Sequence, residues 1–126
     1  MFLAIDPQNG VAIYEQIVRQ VSFAVAGEAL VSGDLVPSVR ELARQLAVNP
    51  NTVARAYRQL QSDGVLQTVR GTGLAVSPGA AKRCRAARTK LLRERIRRVL
   101  GEAKQSRLAP QDIRTLVEEE LSRLKV

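Results

Sequence analysis

Histidine and tryptophan are absent from the 126 residues, and Cys84 is the single cysteine. Without histidine there is no imidazole general base, no Ser-His-Asp or Cys-His arrangement, and no Cys/His zinc framework. One cysteine also excludes an intrachain disulfide. Aromatics are scarce: Phe2, Tyr14, Phe23 and Tyr57 are all there are, so a core has to be built from aliphatic side chains. No stretch approaches the roughly 20 apolar residues of a spanning helix, and the opening MFLAIDPQNG lacks the basic start and long apolar run of a signal peptide. A cytoplasmic location is therefore expected. Clustered carboxylates, metal ligands and a nucleophile paired with a base are missing as well. Neither catalytic activity nor a metal or other cofactor is expected.

What the chain does have is positive charge, +8 in all, unevenly spread. Residues 1–81 balance six basic against six acidic side chains, whereas residues 82–107 hold eleven basic against only Glu94 and Glu102. Within the balanced part, Arg40, Arg44, Arg55, Arg58 and Arg70 face only Glu41 and Asp63 over the same interval. Such segregation favours a polyanion as partner. Cys84 lies in KRCRAAR, where flanking cations favour the thiolate, against the plainer reading of an inert thiol. The length suits one compact domain with a short appendage.

Apolar residues at Tyr14, Ile17, Val18, Val21 and Val25 predict a first amphipathic helix from Ala12 to about Val31. Leu35-Val36 reads as a short extended pair. Ser38 and Glu41 fit a capping box that starts a second helix at Val39, with Leu42, Ala43 and Leu46 on its buried side. Asn49 is a natural N-cap and Pro50 suits the first position of a third helix, which runs to about Ser62 and stops before Gly64. Val65–Val69 and Leu74–Val76, joined through Arg70-Gly71-Thr72-Gly73, predict a β-hairpin. Those glycines do not make a phosphate-binding P-loop, because no G-K-[ST] follows. Ser77-Pro78-Gly79 marks a boundary. Beyond it a long basic helix over residues 80–106 and a second helix after Pro110 carry apolar stripes.

Three helices, a tight turn between the second and third, and a hairpin after the third predict a mostly α fold: a winged helix-turn-helix over residues 1–78. A two-helix dimerisation hairpin follows over residues 79–126. In this arrangement the third helix enters the major groove of double-stranded DNA. Val53, Tyr57 and Leu60 form its buried stripe, so Asn51, Arg55 and Arg58 point outward. Arginine pairs bidentately with guanine and asparagine with adenine. Ser38 and Thr52, near helix starts, suit phosphate oxygens, and Arg40 reaches a phosphate or a base. Arg70, Gly71, Thr72 and Gly73 suit the minor groove. The short tail cannot bury its own apolar surface and is expected to close against a second copy through Leu92, Ile96, Val99, Ile113, Leu116, Val117 and Leu121.

The runs AIYEQI, GDLVPSVRELARQLAVNPNTVARAYRQLQSDGVL and RGTG resemble the GntR family of bacterial transcription regulators across residues 12–76. The two-helix tail is similar to the YtrA-type branch. This resemblance implies a homodimer that binds a palindromic operator, usually as a repressor and often beside transporter genes. It places the DNA contacts on Ser38, Arg40, Asn51, Thr52, Arg55 and the Gly71-Thr72-Gly73 tip. Ala54 stands where some branches carry a base-reading arginine, so their operator preference does not transfer. A small-molecule effector is left open.

The arginines of residues 82–107 lie all around their helix, so most are expected to be solvated, with Lys82, Arg83 and Arg85 near enough to the reading head to meet phosphates. A competing expectation is an adaptor that uses this basic helix on an anionic membrane or a partner protein. The helix offers few bulky apolar residues before Leu91, and no membrane partner is expected.

Overall fold

The computed structural model describes residues 3–124, arranged as two compact units that meet between Arg88 and Thr89. In the first unit, helix α1 (Ile13–Ala26) is followed by α2 (Val39–Leu46), α3 (Pro50–Ser62), and strands β1 (Leu66–Val69) and β2 (Gly73–Val76). Helix α4 (Ala80–Gln105) begins in this unit, and α5 (Pro110–Arg123) lies in the second.

Helix α1 is shorter than the sequence predicts. It ends at Ala26, because Gly27 caps it and Glu28 turns left-handed at φ 60°, which leaves Val31 outside the helix and 49% exposed. Ile17, Val21 and Val25 on its inner face meet Leu42 and Ala43 of α2 and Val53, Ala56, Tyr57 and Leu60 of α3 in one aliphatic core. The buried Gln16 holds residues 6–11 onto α1. Its Oε1 accepts from the Asp6 N–H at 2.8 Å, and its Nε2 donates to the carbonyls of Asp6 and Val11 at 2.7 and 2.9 Å. Hydrogen bonds supplied in this way offset the cost of burying the amide.

The turn between α2 and α3 is only Ala47-Val48-Asn49. Ala47 makes it possible by adopting a left-handed conformation at φ 54°, where its N–H closes onto the end of α2. Tyr57 then ties α3 to the chain just before α2, its hydroxyl donating to the Pro37 carbonyl at 2.7 Å. Burial raises the Tyr57 pKa well above its ordinary value, so the phenol stays a donor. Tyr57→Phe removes this bond, and chemical denaturation is expected to show a loss of about 1 kcal/mol.

The hairpin pairs Leu66 with Val76 and Val69 with Gly73 in antiparallel register. Leu35-Val36 runs extended beside it: Leu35 bridges Ala75, and the Val36 N–H donates to the Leu74 carbonyl at 3.0 Å. Leu66 and Val76 face the core, and so do Ala80 and Cys84 from the start of α4. Those two side chains join the start of α4 to the first compact unit, which extends to Arg88. Burial is also what governs Cys84, raising its pKa against the weaker opposing pull of the Ser22 hydroxyl and Arg83. The thiolate suggested by the flanking arginines is therefore disfavoured.

In the second unit, α4 and α5 leave an open apolar groove of about 380 Å³ lined by Val99, Leu116, Val117, Leu121 and Leu124 with Glu120. Among the described residues none beyond Cys84 is buried. No helix among the described residues is long and apolar enough to cross a membrane.

Candidate nucleic-acid interface

Two helix N-termini and a hairpin tip form the exposed polar side of the first unit. At α2 the capping box is complete: the Ser38 Oγ accepts the Glu41 N–H and the Glu41 carboxylate accepts the Ser38 N–H, both at 3.1 Å. Arg40 projects, exposed, from the first turn of the same helix.

The two hydrogen bonds from Ser38 hold the Glu41 carboxyl below its usual range. Glu41 is ionised in the fold more readily than in the unfolded chain, so its contribution is complete above the ordinary value of 4.5 and is lost as pH falls through the lowered folded value. Acid melts of the wild type and Glu41→Gln are expected to differ above that window and to converge below it.

At α3, Asn49 caps the helix by accepting the Asn51 N–H at 2.8 Å, and Pro50 occupies the first turn. The side chains of Asn51, Arg55 and Arg58 are all exposed on one face, as the spacing predicts, while Thr52 is half-buried. The free N–H groups at this end and the helix dipole favour an anion in front of them. Arg55 is not a free side chain. Its guanidinium carbon lies 3.8 Å from the ring centroid of Tyr14, which α1 presents from below. The sequence places Tyr14 in the buried stripe; the structure leaves it half-exposed, and the contact joins residues 41 positions apart that no local pattern connects.

Arg70, Gly71 and Thr72 form the exposed hairpin tip, with Gly71 left-handed at φ 78°. Gly73 belongs to the start of β2 rather than to the turn, at φ 133°, a conformation that side chains rarely adopt. Ser38, Tyr57, Thr72 and Gly73 line a common cleft of about 350 Å³, which places the start of α2, the body of α3 and the wing side by side. Glu41 lines it too, a negative group that the sequence reading did not place there.

Arg83 and Arg85 are elsewhere. Arg83 donates to the carbonyls of Gly64, at 2.5 Å, and Pro78, at 3.2 Å, and Arg85 reaches the Ala26 carbonyl at 3.5 Å. Gly64 follows the C-terminal end of α3, roughly 20 Å along the helix from Asn51. Both arginines are thus bonded at the ends of α3 and α1, where a cation complements the dipole. Among the described residues, no group of three His, Cys, Asp or Glu is placed to hold a metal ion.

The architecture agrees with known proteins. The sequence profile of the bacterial regulatory proteins of the gntR family matches residues 13–76, from the start of α1 to the end of β2. The chain belongs to the GntR family. Beyond that shared part, it is 35% identical over 101 residues to the HTH-type transcriptional repressor YtrA of Bacillus subtilis (strain 168), covering 80% of this chain and 78% of YtrA. That likeness reaches well past β2 into the helical tail. The crystal structure of a transcriptional regulator from Oenococcus oeni superposes with a TM-score of 0.74 at 32% identity, over 95% of this chain and 99% of that one. AraR(DBD), solved in complex with operator ORX1, matches with a TM-score of 0.51 at 25% identity, over 61% of this chain and 93% of that one. For this GntR-family chain, α1 to β2 therefore form a winged helix, and the relatives named here are regulators rather than enzymes.

Proposed function

We propose that this chain is a cytoplasmic, homodimeric repressor that binds a palindromic operator sequence-specifically. The first unit reads the DNA and the second pairs the protomers. Asn51 and Arg55 read base edges in the major groove. Ser38, Arg40, Thr52 and Arg58 hold phosphates or adjoining bases, and Arg70 with Gly71, Thr72 and Gly73 follows the minor groove. The observation that carries this reading is the exposed Asn51, Arg55 and Arg58 face at the capped N-terminus of α3, with Ser38 and the wing tip lining the cleft beside it. YtrA is named a transcriptional repressor, and AraR(DBD) was solved with an operator, which agree with it.

Dimerisation draws its support from the second unit. Leu92, Ile96, Val99, Leu116, Val117 and Leu121 are all more than 40% exposed, and Ile113 is only half-buried. An apolar face of this kind on a unit with no core of its own is a surface made for another chain, and a second copy is the partner always present. Sedimentation equilibrium of the full chain is expected to give twice the monomer mass of 13.8 kDa. A monomer at micromolar concentration would sink this part of the reading. The membrane adaptor alternative predicts flotation with anionic vesicles, which a DNA regulator does not require.

A further inference from the structure

We propose that Tyr14 is a positioning residue for Arg55, holding its guanidinium in place for base reading through the face of the aromatic ring. The proposal rests on the reading of Arg55 as a base-contacting residue. An arginine on an open helix face samples many rotamers, and fixing them on DNA costs affinity. Here the guanidinium carbon already sits 3.8 Å above the Tyr14 centroid. Tyr14 is itself fixed: it stands on the second residue of α1, packs against the core, and donates its hydroxyl to Glu15 at 3.2 Å.

The mode of fixing matters as much as the fact. An ion pair would occupy the N–H edge of the guanidinium and would have to break before a base could be read. Among the described residues Arg55 has no carboxylate partner; the two ion pairs are Arg19 with Glu15 and Arg123 with Glu120. The ring takes the flat face of the group and leaves the in-plane donors free for the oxygen and nitrogen acceptors of a guanine. Glu15, the acid beside the pair, is engaged by the Tyr14 hydroxyl and faces Arg19 at 4.0 Å.

The test uses the full chain and an operator recovered by selection, with Tyr14→Phe, Tyr14→Leu, Arg55→Ala and the double variant Tyr14→Leu/Arg55→Ala, each first shown by thermal melting to be folded. Tyr14→Phe keeps the ring and is expected to bind the operator like the wild type. Tyr14→Leu is expected to bind it about two- to fivefold more weakly, the range of an exposed cation–π contact, with affinity for random DNA unchanged. In the Arg55→Ala background, Tyr14→Leu is expected to add nothing. Equal operator binding by Tyr14→Leu and the wild type would overturn the proposal. So would an undiminished Tyr14→Leu effect when Arg55 is already alanine, since Tyr14 would then act on DNA by itself. Wild-type operator binding by Arg55→Ala is a different failure: it removes the reading of Arg55 on which the proposal stands.

Discussion

Leu121→Asp is expected to leave the protein monomeric and to lower operator affinity by roughly 10²-fold or more, because the second reading head then no longer binds as part of one molecule. Leu121 lies on α5, is 54% exposed, and lines the apolar groove with Val99, Leu116, Val117 and Leu124. In the proposed dimer that face is dry, and a carboxylate placed there is desolvated without a partner. The first unit keeps its own core of Ile17, Val21, Leu42, Val53, Leu60 and their neighbours, of which Leu121 is not a member. Its melting transition should therefore persist. Sedimentation and gel mobility shifts check the two halves of the expectation separately. A Leu121→Asp protein that stays dimeric would show that the apolar face has some other occupant.

The second large effect is expected from Arg55→Ala, which should cost about 1–3 kcal/mol of specific binding, the discrimination a good base contact supplies. Affinity for random DNA should change far less, so the ratio of specific to non-specific binding is the quantity to measure. Arg58, three residues further along the same exposed face, has no such stacking partner among the described residues. If Arg58 meets phosphate, its alanine variant should weaken binding to all sequences alike and flatten the salt dependence. Operator binding that is indifferent to Arg55→Ala would leave α3 as a scaffold and move the reading elsewhere.

The parts of this interface that were legible in the sequence are those set by local chemistry. Ser38 with Glu41, and Asn49 with Pro50, announce the starts of two successive helices, and both caps form. Two short extended runs on either side of a glycine-bearing tip place the hairpin, and helical spacing places the buried face of α3, for the same reason. What escaped is what depends on contacts between distant segments or on unusual backbone. Gly27 weakens the last turns in the sequence, but nothing announces Glu28 at φ 60°, so the predicted α1 runs too long. Ala47 holds the tight turn in a conformation usually given to glycine, and its identity offers no hint of that. Ala80 and Cys84 are buried, yet they sit among so many basic residues that the start of α4 reads as an exposed basic surface. The same masking hid the role of Arg83, which looks like a phosphate ligand until the Gly64 and Pro78 carbonyls are brought to it. Tyr14 reads as core because its spacing matches Ile17 and Val21, and only its packing against α3 reveals the arginine above it.

The central claim, that two copies of one capped helix read DNA together, is tested most directly by selecting bound sequences from a random DNA pool with the purified full chain at near-physiological salt. The account predicts recovery of one inverted repeat whose half-sites lie about one helical turn apart. Recovery of unrelated sequences, with binding that disappears as salt rises, would contradict it and would mean that the eleven basic residues of 82–107 hold DNA by charge alone.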